Sequence, residues 1–524
     1  MTARKKWLLI ASGAVLAAGA IAVFVAAPRM ARRFEPMVRE QAIQYLRERF
    51  HSDVEIANLR IQLPKLSRLQ LLFKRERGAK VRVEGDRLSM WFGGARDLPP
   101  LFSIRKFSFQ VDLQALTEEQ KSIDEVAIEG MEIHVPPKGE QPKPVASAPP
   151  AGRPINVLIK SVQIADALLV ILPRDKAKNP MKFEVAHLRL KSVAANEAMD
   201  YDALLTIPKP PGQVHSNGTF GPWAADEPGD TPLAGIYSFE KADLGVFNGI
   251  AGTLTSTGTF EGTLDSVHAR GEATVPDFRL KMAGNKVPLW TRFEVLVDGT
   301  NGNTVLQPVK AKLGNTSFTT TGAVIKHEGQ ARRTIDLAVS MPNGDLRDLL
   351  RLATKGPPFM EGRIALKTKL RIPPLTGSVR EKLELDGDFE LHNTKFLKSS
   401  IQSQIDKLSR KGQGQPNNEE IDQVISDMMG SFRLENQVMT FRTLAFWVPG
   451  ARVHLAGDYD LGRDTLDFHG SLKLVATVSQ TQTGWKRWAL KPVDPFFEKN
   501  GAGTFLRIKV DGNAAKPKFG LDRK

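Results

Sequence analysis

Apolar and polar residues alternate with a period of two along most of this chain. The stretch GTLTSTGTFEGTL, residues 252–264, has threonine or glutamate at its odd positions and apolar or small residues at its even positions. Residues 364–372, 383–391, 453–461 and 466–478 alternate in the same way. Because successive side chains of a strand point to opposite faces, this pattern predicts long antiparallel strands with one face in water.

A glycine stands two residues before an aromatic residue at several places in these stretches. The phrase recurs at residues 218–220, 258–260, 387–389 and 457–459. Glycine and ring then share one strand face, where the ring can cover the glycine. The recurrence favours a repeated strand unit over several unrelated domains. We therefore predict a mainly β protein built on an antiparallel sheet, with a few short helices.

The segment 29–135 is predicted to contain a helix followed by β structure. The helix, EPMVREQAIQYLRERF, carries an apolar stripe through Val38, Ala42, Tyr45 and Leu46. We interpret it as a helix that caps the first sheet. A helix lying on a membrane surface is the alternative.

Two further segments interrupt the alternation. Residues 136–154, PPKGEQPKPVASAPPAGRP, are rich in proline and have no apolar period, which predicts a linker. Residues 397–430 change to helical spacing, which predicts an inserted helical hairpin. These breaks leave a β repeat region at 155–396 and a C-terminal β region at 431–524. The two predicted helical stripes are Ile401, Ile405 and Leu408, then Ile421, Val424, Ile425 and Met428.

The N-terminus contains an apolar segment of 21 residues without a charge, from Trp7 to Ala27. At about 1.5 Å per residue, a helix of this length matches a bilayer core of about 30 Å. Trp7, Leu16, Phe24 and Ala27 are the residues that we assign to this membrane anchor. We predict an uncleaved signal anchor within residues 1–28, with a cytoplasmic tip and the body outside the cytoplasm; a cleaved signal peptide is the alternative.

The composition narrows the possible partners. The chain has 524 residues, no cysteine and a formal net charge of +15. The lack of cysteine excludes disulfides and thiolate metal sites. A positive charge suits either nucleic acid or an anionic membrane surface. The sequence has no basic stripe with interleaved aromatic residues, so we expect no nucleic-acid partner.

Recognisable catalytic motifs are missing from the sequence. Four acids cluster in DYDLGRDTLDF, residues 458–468, but Gly462 stands where a calcium loop needs an acid. A turn between two strands explains this cluster better. His454 and His469 fall at polar strand positions and are predicted to be solvated. We expect no enzyme activity, no cofactor and no metal.

Several segments resemble AsmA-like proteins of bacterial envelopes, in a specific order. They are VREQAIQYLRERFHSDVEIANLRIQLP after the anchor, then TPLAGIYSFEKADLGVFNGIAGTLTSTGTFEGTLDSVHARGEATVPDF, and a C-terminal run from FLKSSIQSQIDKLSRKGQG through GARVHLAGDYDLGRDTLDFHGSLKL to GTFLRIKVDGNAAKPKFGL. The resemblance covers most of the chain outside the linker. It departs at His51 and Ser52, where the family usually has a glycine.

The resemblance implies an elongated periplasmic β-groove, held at the inner membrane and related to bridge-like lipid transfer proteins. Such a groove would carry phospholipid between the inner and outer membranes, and no catalytic residues come with it. Expected partners are the bacterial inner membrane, phospholipid, and envelope proteins of the periplasm or outer membrane.

With this resemblance, we expect the apolar strand face to line an open groove that holds acyl chains. The alternative is a set of closed sandwiches that serve as a scaffold or assembly factor for outer-membrane proteins. The residues expected to line the groove are Leu254, Phe260, Leu264, Leu366, Leu370, Leu385, Phe389, Phe468 and Leu472.

Overall fold

Strands make up 63% of the structure and the helices are few and short, so the prediction of a mainly β protein is confirmed. The computed structural model describes residues 36, 39–40, 42–44, 46–47, 52–62, 80–92, 96, 99–112, 120–135, 156–172, 180–193, 197–222, 224, 228–299, 301–327, 329–330, 332–498, 501, 503–514 and 516–522.

Two predicted segments lie outside the described residues. They are the anchor, with Trp7, Leu16, Phe24 and Ala27, and the linker at 136–154. Within the ranges given above, no helix is long and apolar enough to span a bilayer.

The chain divides into two compact units, of which the first comprises Met1–Pro208 and Gln213–Ile236. Its strands follow one another along the chain, and the N-terminal part of β9 completes it. The strands are β1 (Ser52–Gln62), β2 (Lys80–Phe92), β3 (Phe102–Asp112), β4 (Gln120–Val135), β5 (Asn156–Ile171), β6 (Met181–Val193), β7 (Met199–Pro208), β8 (Pro211–Phe220) and β9 (Pro232–Asp243).

Residues 36, 39–40, 42–44 and 46–47 are helical and cover the start of the first sheet. Ile43 is buried against Val54, Ile56 and Met90, with Leu46 packed beside it. The apolar residues of β1–β4 share one face, because each is paired directly opposite the next. This packing confirms the interpretation of the helix as a cap on the first sheet.

The sheet of the first unit is mixed, which corrects the expectation of a purely antiparallel sheet. Strands β4 and β5 pair in parallel, with Ile128 opposite Ile164. Parallel neighbours need a crossover of about a dozen residues or more, because the chain must return to the same end of the sheet. Residues 136–155, which include the proline-rich segment, supply that length between the end of β4 and the start of β5.

The second unit comprises Lys209–Gly212 and Tyr237–Lys524. Its strands after β9 are β10 (Ile250–Ala251), β11 (Thr253–Thr263), β12 (Ser266–Val275), β13 (Arg279–Leu280), β14 (Leu289–Val297), β15 (Thr304–Leu313), β16 (Thr316–Ile325), β17 (Thr334–Asp345), β18 (Met360–Ile372), β19 (Glu384–Phe396), β20 (Ser426–Glu435), β21 (Val438–Val448), β22 (Ala451–Asp460), β23 (Thr465–Leu474), β24 (Thr504–Asn513) and β25 (Lys518–Leu521). Its helices are α1 (Leu346–Ala353), α2 (Val379–Lys382), α3 (Ser399–Gly412), α4 (Trp485–Leu490) and α5 (Asp494–Phe497).

Strand pairing in the second unit follows the order of the chain. Strand β9 pairs with β11, and β11 with β12. Strand β12 then pairs with β14, and every strand from β14 to β25 pairs antiparallel with the next. The short strands β10 and β13 form a separate pair. The second unit is therefore a long antiparallel meander.

The predicted helical hairpin at 397–430 is half wrong. Its first helix exists as α3, but the second stripe, through Ile421 and Met428, is not helical, and β20 begins at Ser426. The burial from Val424 onward has a period of two, and Ile425, which a helix would have turned inward, is 56% exposed. The error arose because this stretch is rich in apolar residues. Their spacing fitted the helical period of three to four residues as well as the strand period of two.

The last strand, β25, gives a pH-dependent prediction. All four of its residues are exposed, and the residue after it, Asp522, lies 2.9 Å from Nδ1 of His469 on β23. The Asp522 carboxylate raises the pKa of His469 above its usual value. A raised pKa stabilises the folded pairing below the unfolded pKa of about 6.5, and this stabilisation is lost as pH rises through the folded pKa.

We therefore expect the backbone amides of β25 to be better protected from hydrogen exchange at pH 6 than at pH 8.5, after correction for intrinsic exchange rates. His469→Gln should abolish this difference, whereas His454→Gln, on the neighbouring strand β22, should keep it. Equal protection at both pH values in the unaltered chain would contradict the role given to His469.

Candidate functional site

An apolar row crosses the second unit from strand to strand. Residues directly opposite each other in an antiparallel pair point to the same face, so the pairing register can be followed across successive strands. Starting from Phe260, it passes through thirteen strands without meeting a charged residue. We name these positions the transverse row: Phe260, Ala269, Val295, Leu306, Gly322, Leu337, Leu370, Leu385, Leu434, Met439, Tyr459, Leu466 and Gly512.

The transverse row is accessible to solvent along most of its length. Its members are half-buried, and the exception is Leu434, which is 5% exposed. A second layer packed on this face would have buried these side chains as fully as core residues. The apolar row is therefore shielded mainly by its own neighbours on the same sheet face.

Helices α1 and α3 cover the same face nearer one end of the strands. Leu349 and Leu350 of α1 pack against the buried Met341, Ile364 and Leu391. Ile405 and Leu408 of α3 pack in the same way on the buried Val448, Ala451 and Leu474. We name these six buried residues the helix-covered margin. Burial on this face thus changes from complete beneath the helices to partial along the transverse row.

Buried polar side chains fix both helices in place. The Asp348 carboxylate of α1 accepts hydrogen bonds from the backbone N–H of Asn315 at 2.8 Å and the hydroxyl of Thr316 at 2.9 Å. In α3, the Asp406 carboxylate accepts hydrogen bonds from the Val424 backbone N–H and the Gln402 side-chain amide, both at 2.9 Å. Because buried polar groups are costly when unpaired, these bonds define one position for each helix.

Aromatic rings cover some glycines of the apolar face from the neighbouring strand. Phe389 stands opposite Gly430, and a Cβ at Gly430 would lie 2.9 Å from the ring. Phe293 stands opposite Gly271 with the same 2.9 Å approach. Glycine leaves room for a flat ring across the sheet, which keeps the apolar face continuous where the glycine has no side chain.

Phenylalanine rings continue this surface over β19–β23. The ring centres of Phe389 and Phe432 are 6.1 Å apart, and those of Phe389 and Phe441 are 6.4 Å apart. Phe441 and Phe468 follow at 5.7 Å. These rings shield one another, which explains why Phe432 and Phe468 are only 7% and 6% exposed without a covering helix.

Two tyrosines and one serine on the apolar face form hydrogen bonds within the protein. The Tyr237 hydroxyl lies 3.1 Å from the Ser256 hydroxyl, which donates to the backbone carbonyl of Glu272 at 2.9 Å. Burial raises the pKa of Tyr237, so its phenol stays neutral. The Tyr459 hydroxyl on the transverse row donates to Asp464 at 2.8 Å. These groups therefore interrupt the apolar face very little.

The opposite face of the same strands carries charge. Arg292 pairs with Glu272 at 2.6 Å, and Arg442 pairs with Asp386 at 2.7 Å. Arg371 lies between Asp336 and Glu384 at 3.5 and 3.7 Å. Exposed pairs of this kind contribute only about 0–1 kcal/mol each to stability. Their larger effect is to keep this face of the sheet exposed to water.

The structure brings eight of the nine expected groove residues to one face. Phe260, Leu370 and Leu385 lie on the transverse row, and Leu254 is on the same face of β11 by alternation. Leu366, Phe389, Phe468 and Leu472 lie on parallel rows closer to the helices. Leu264 stands in the turn between β11 and β12, where strand alternation does not assign it to a face, so its place in the groove stays a prediction.

Sequence reasoning missed Leu337, which lies on the row between Phe260 and Leu370, and Leu434 and Met439, which continue the row beyond Leu385. Their strands do alternate, and that signal could have identified them. Their position on the row could not be read from one strand, because it depends on the pairing register.

The acidic cluster lies at a turn between two strands. Residues 458–460 end β22 and residues 465–468 begin β23, so the predicted turn between two strands is confirmed. Within the described part of the chain, no group of three or more histidines, aspartates or glutamates could hold a metal ion. A shallow concavity of about 440 Å³ touches Leu370 and Leu385, but most of its lining belongs to the charged face, including Lys369 and Asp386. We do not assign it to apolar binding.

Neither a protein-family model nor a curated protein sequence matches this chain.

Charge substitution separates an accessible row from a packed core. Phe260→Glu and Leu370→Glu place a carboxylate on the transverse row, where it can reach water, so both variants should fold with melting temperatures lowered by only a few degrees. Leu474→Glu places the same charge beneath α3, where it costs several kcal/mol, and should unfold the second unit. Circular dichroism melting measures the difference, and Thr259→Glu on the charged face is the matched control. Unfolding of the row variants as complete as that of Leu474→Glu would show that the row is a closed core.

Proposed function

We propose that this chain is a non-enzymatic lipid-binding protein whose transverse row holds the acyl chains of phospholipid. The observation that carries the proposal is the apolar row over thirteen strands, half-buried except at Leu434, with charge confined to the other face. An acyl chain in water loses about 0.8 kcal/mol for each CH₂ left unburied. A lipid therefore needs continuous apolar cover along any path outside a membrane.

The dimensions of the row support this proposal. Neighbouring strands lie about 4.8 Å apart, so twelve steps give a contour of roughly 58 Å. One leaflet of a bilayer core is about 15 Å thick, so the row exceeds the length of one acyl chain roughly fourfold. A pocket for one lipid would need only a few strands. The length favours movement of a lipid along the row over storage in a fixed position.

The absence of charge from the row also supports movement. An ionised side chain without water or a partner costs several kcal/mol in an apolar environment, so it would act as a barrier to an acyl chain. The Tyr237 and Ser256 hydroxyls on this face already have protein partners. The rings that cover Gly271 and Gly430 keep the path apolar at these glycines.

We further propose the cellular setting that the resemblance to AsmA-like proteins implies. In this proposal, Trp7–Ala27 anchors the chain in the bacterial inner membrane, and the body lies in the periplasm. The apolar face conducts phospholipid between the inner and outer membranes, in contact with envelope proteins of the periplasm or outer membrane. A scaffold for outer-membrane protein assembly is the alternative that the experiment below must distinguish.

Site-specific photo-crosslinking in cells tests the proposed lipid path. A photoreactive residue at Phe260 or Leu370 should form adducts with phospholipid, because both side chains lie on the transverse row. The same residue at Thr259 or Lys369, one position away on the opposite face, should form none. Mass spectrometry of the purified chain identifies the adducts.

Phe260→Glu and Leu370→Glu provide the second arm, since both should reduce the phospholipid that co-purifies with the full chain while folding is retained. Thr259→Glu should leave it unchanged. Absence of lipid adducts at all four positions, together with unchanged co-purified lipid, would favour the scaffold.

A further inference from the structure

A second surface of the chain has the chemistry of a membrane contact. Between β23 and β24 the chain leaves the sheet and forms α4, a turn at Lys491–Val493, and α5. Trp488 in α4 is 71% exposed, and Lys486, Arg487, Ala489 and Lys491 around it are exposed as well. The Lys491 ammonium lies 4.3 Å from the centre of the Trp488 ring. We name residues 484–493 the tryptophan loop.

The base of the tryptophan loop is fixed to the sheet. The Asp494 carboxylate accepts hydrogen bonds from the backbone N–H and the hydroxyl of Ser479, both at 2.7 Å. Burial opposes the charge of Asp494, but the bonds from Ser479 outweigh it and hold the pKa below its usual range. On the other side, the Thr504 hydroxyl donates to the backbone carbonyl of Ala476 at 2.7 Å. The exposed tip therefore stands on an ordered support.

The charge of the loop is of one sign. Residues 484–493 contain three cations and no acid, and the acids that follow along the chain are Asp494, which is bonded to Ser479, and the exposed Glu498 after α5. Several exposed cations on the sheet of this unit pair with a carboxylate on a neighbouring strand, as Arg292 pairs with Glu272 and Arg442 with Asp386. A large exposed aromatic side chain beside unbalanced cations is unusual on a surface that only has to remain in water.

We propose that the tryptophan loop is a binding site for the surface of an anionic phospholipid bilayer. Tryptophan concentrates at the membrane–water interface, where its ring enters the headgroup region and its N–H stays hydrated. Lysine and arginine beside it are attracted to anionic headgroups within a Debye length of about 8 Å at physiological salt. The exposed Trp488 ring suits the headgroup region, and the cations beside it suit the anionic charge of such a membrane. This binding site does not depend on acyl chains occupying the transverse row.

Because the chain has no cysteine, a single introduced cysteine can be labelled specifically. Ala489→Cys introduces one labelling site beside Trp488 in the full chain, and an environment-sensitive fluorophore is attached there. The labelled chain is held in nanodiscs of neutral phosphatidylcholine. It is then mixed with vesicles of phosphatidylcholine containing 30 mol% phosphatidylglycerol, or with vesicles of phosphatidylcholine alone. We expect a blue shift and quenching by nitroxide lipids with the anionic vesicles, and little change with the neutral ones.

Two variants should remove this signal. Trp488→Ser removes the interfacial ring, and Lys486→Glu/Arg487→Glu/Lys491→Glu reverses the charge. Each cation near an anionic surface contributes roughly fivefold in affinity, and the added glutamates are repelled by that surface, so the triple variant should bind more than about 100-fold more weakly. Raising the salt concentration should weaken binding of the unaltered loop but not that of the triple variant, because salt screens the repulsion between its glutamates and the anionic surface.

Two control variants make the same numbers of aromatic and charge changes at exposed positions outside the tryptophan loop. Phe519→Ser removes another side chain that is 71% exposed, and Lys310→Glu/Lys312→Glu/Lys326→Glu reverses three exposed cations elsewhere in the same unit. Both should bind anionic vesicles like the unaltered chain, with the same circular dichroism spectrum. The proposal is overturned by equal binding to neutral vesicles, by equal loss in the control variants, or by no response to either vesicle. Capture of one envelope protein by a crosslinker at position 489, without lipid binding, would assign the loop to a protein partner instead.

Discussion

The register of antiparallel pairing is the constraint on which the rest of this structure depends. Opposite residues share a face, so a strand shifted by one position would turn its apolar residues into water. The meander keeps its apolar face aligned at each pairing from β11 to β24, even where the register of two strands shifts. Strands β14 and β15 change register between Arg292 and Val295, and β15 and β16 between Leu306 and Val309. After each shift the apolar positions are still opposite one another, so the transverse row continues.

The apolar face has a fully buried part and a half-buried part, and the two have different roles. At the helix-covered margin, side chains such as Met341 and Leu474 are packed as in any protein core and contribute to stability. Along the transverse row, residues such as Leu370 remain half-buried, and their apolar surface is free for contact with something else. A protein closed by a second layer would have gained stability there. Leaving the row uncovered is the feature that distinguishes this sheet from an ordinary sandwich.

Much of this arrangement could be predicted from single strands, because strand alternation is a local property. It indicated the mainly β fold and the correct face for Phe260, Leu385 and Phe389. It failed where a local pattern fits two structures, as at Ile421–Met428, and it assigns no face to a residue in a turn, such as Leu264. The parallel pair of β4 and β5 and the order of residues along the row depend on contacts between strands. No single segment contains that information.

Pairing in the order of the chain also has a consequence for how such a molecule can form. Almost every strand finds its partner in the segment just before it, so contacts are local in sequence and loop closure costs little conformational entropy. The meander can therefore extend by one strand at a time, in the manner of a repeat protein, without waiting for a distant segment. At each stage the growing sheet presents one unpaired edge, and the next strand to emerge covers it. Contact order thus protects a long apolar sheet from the aggregation that an exposed edge invites.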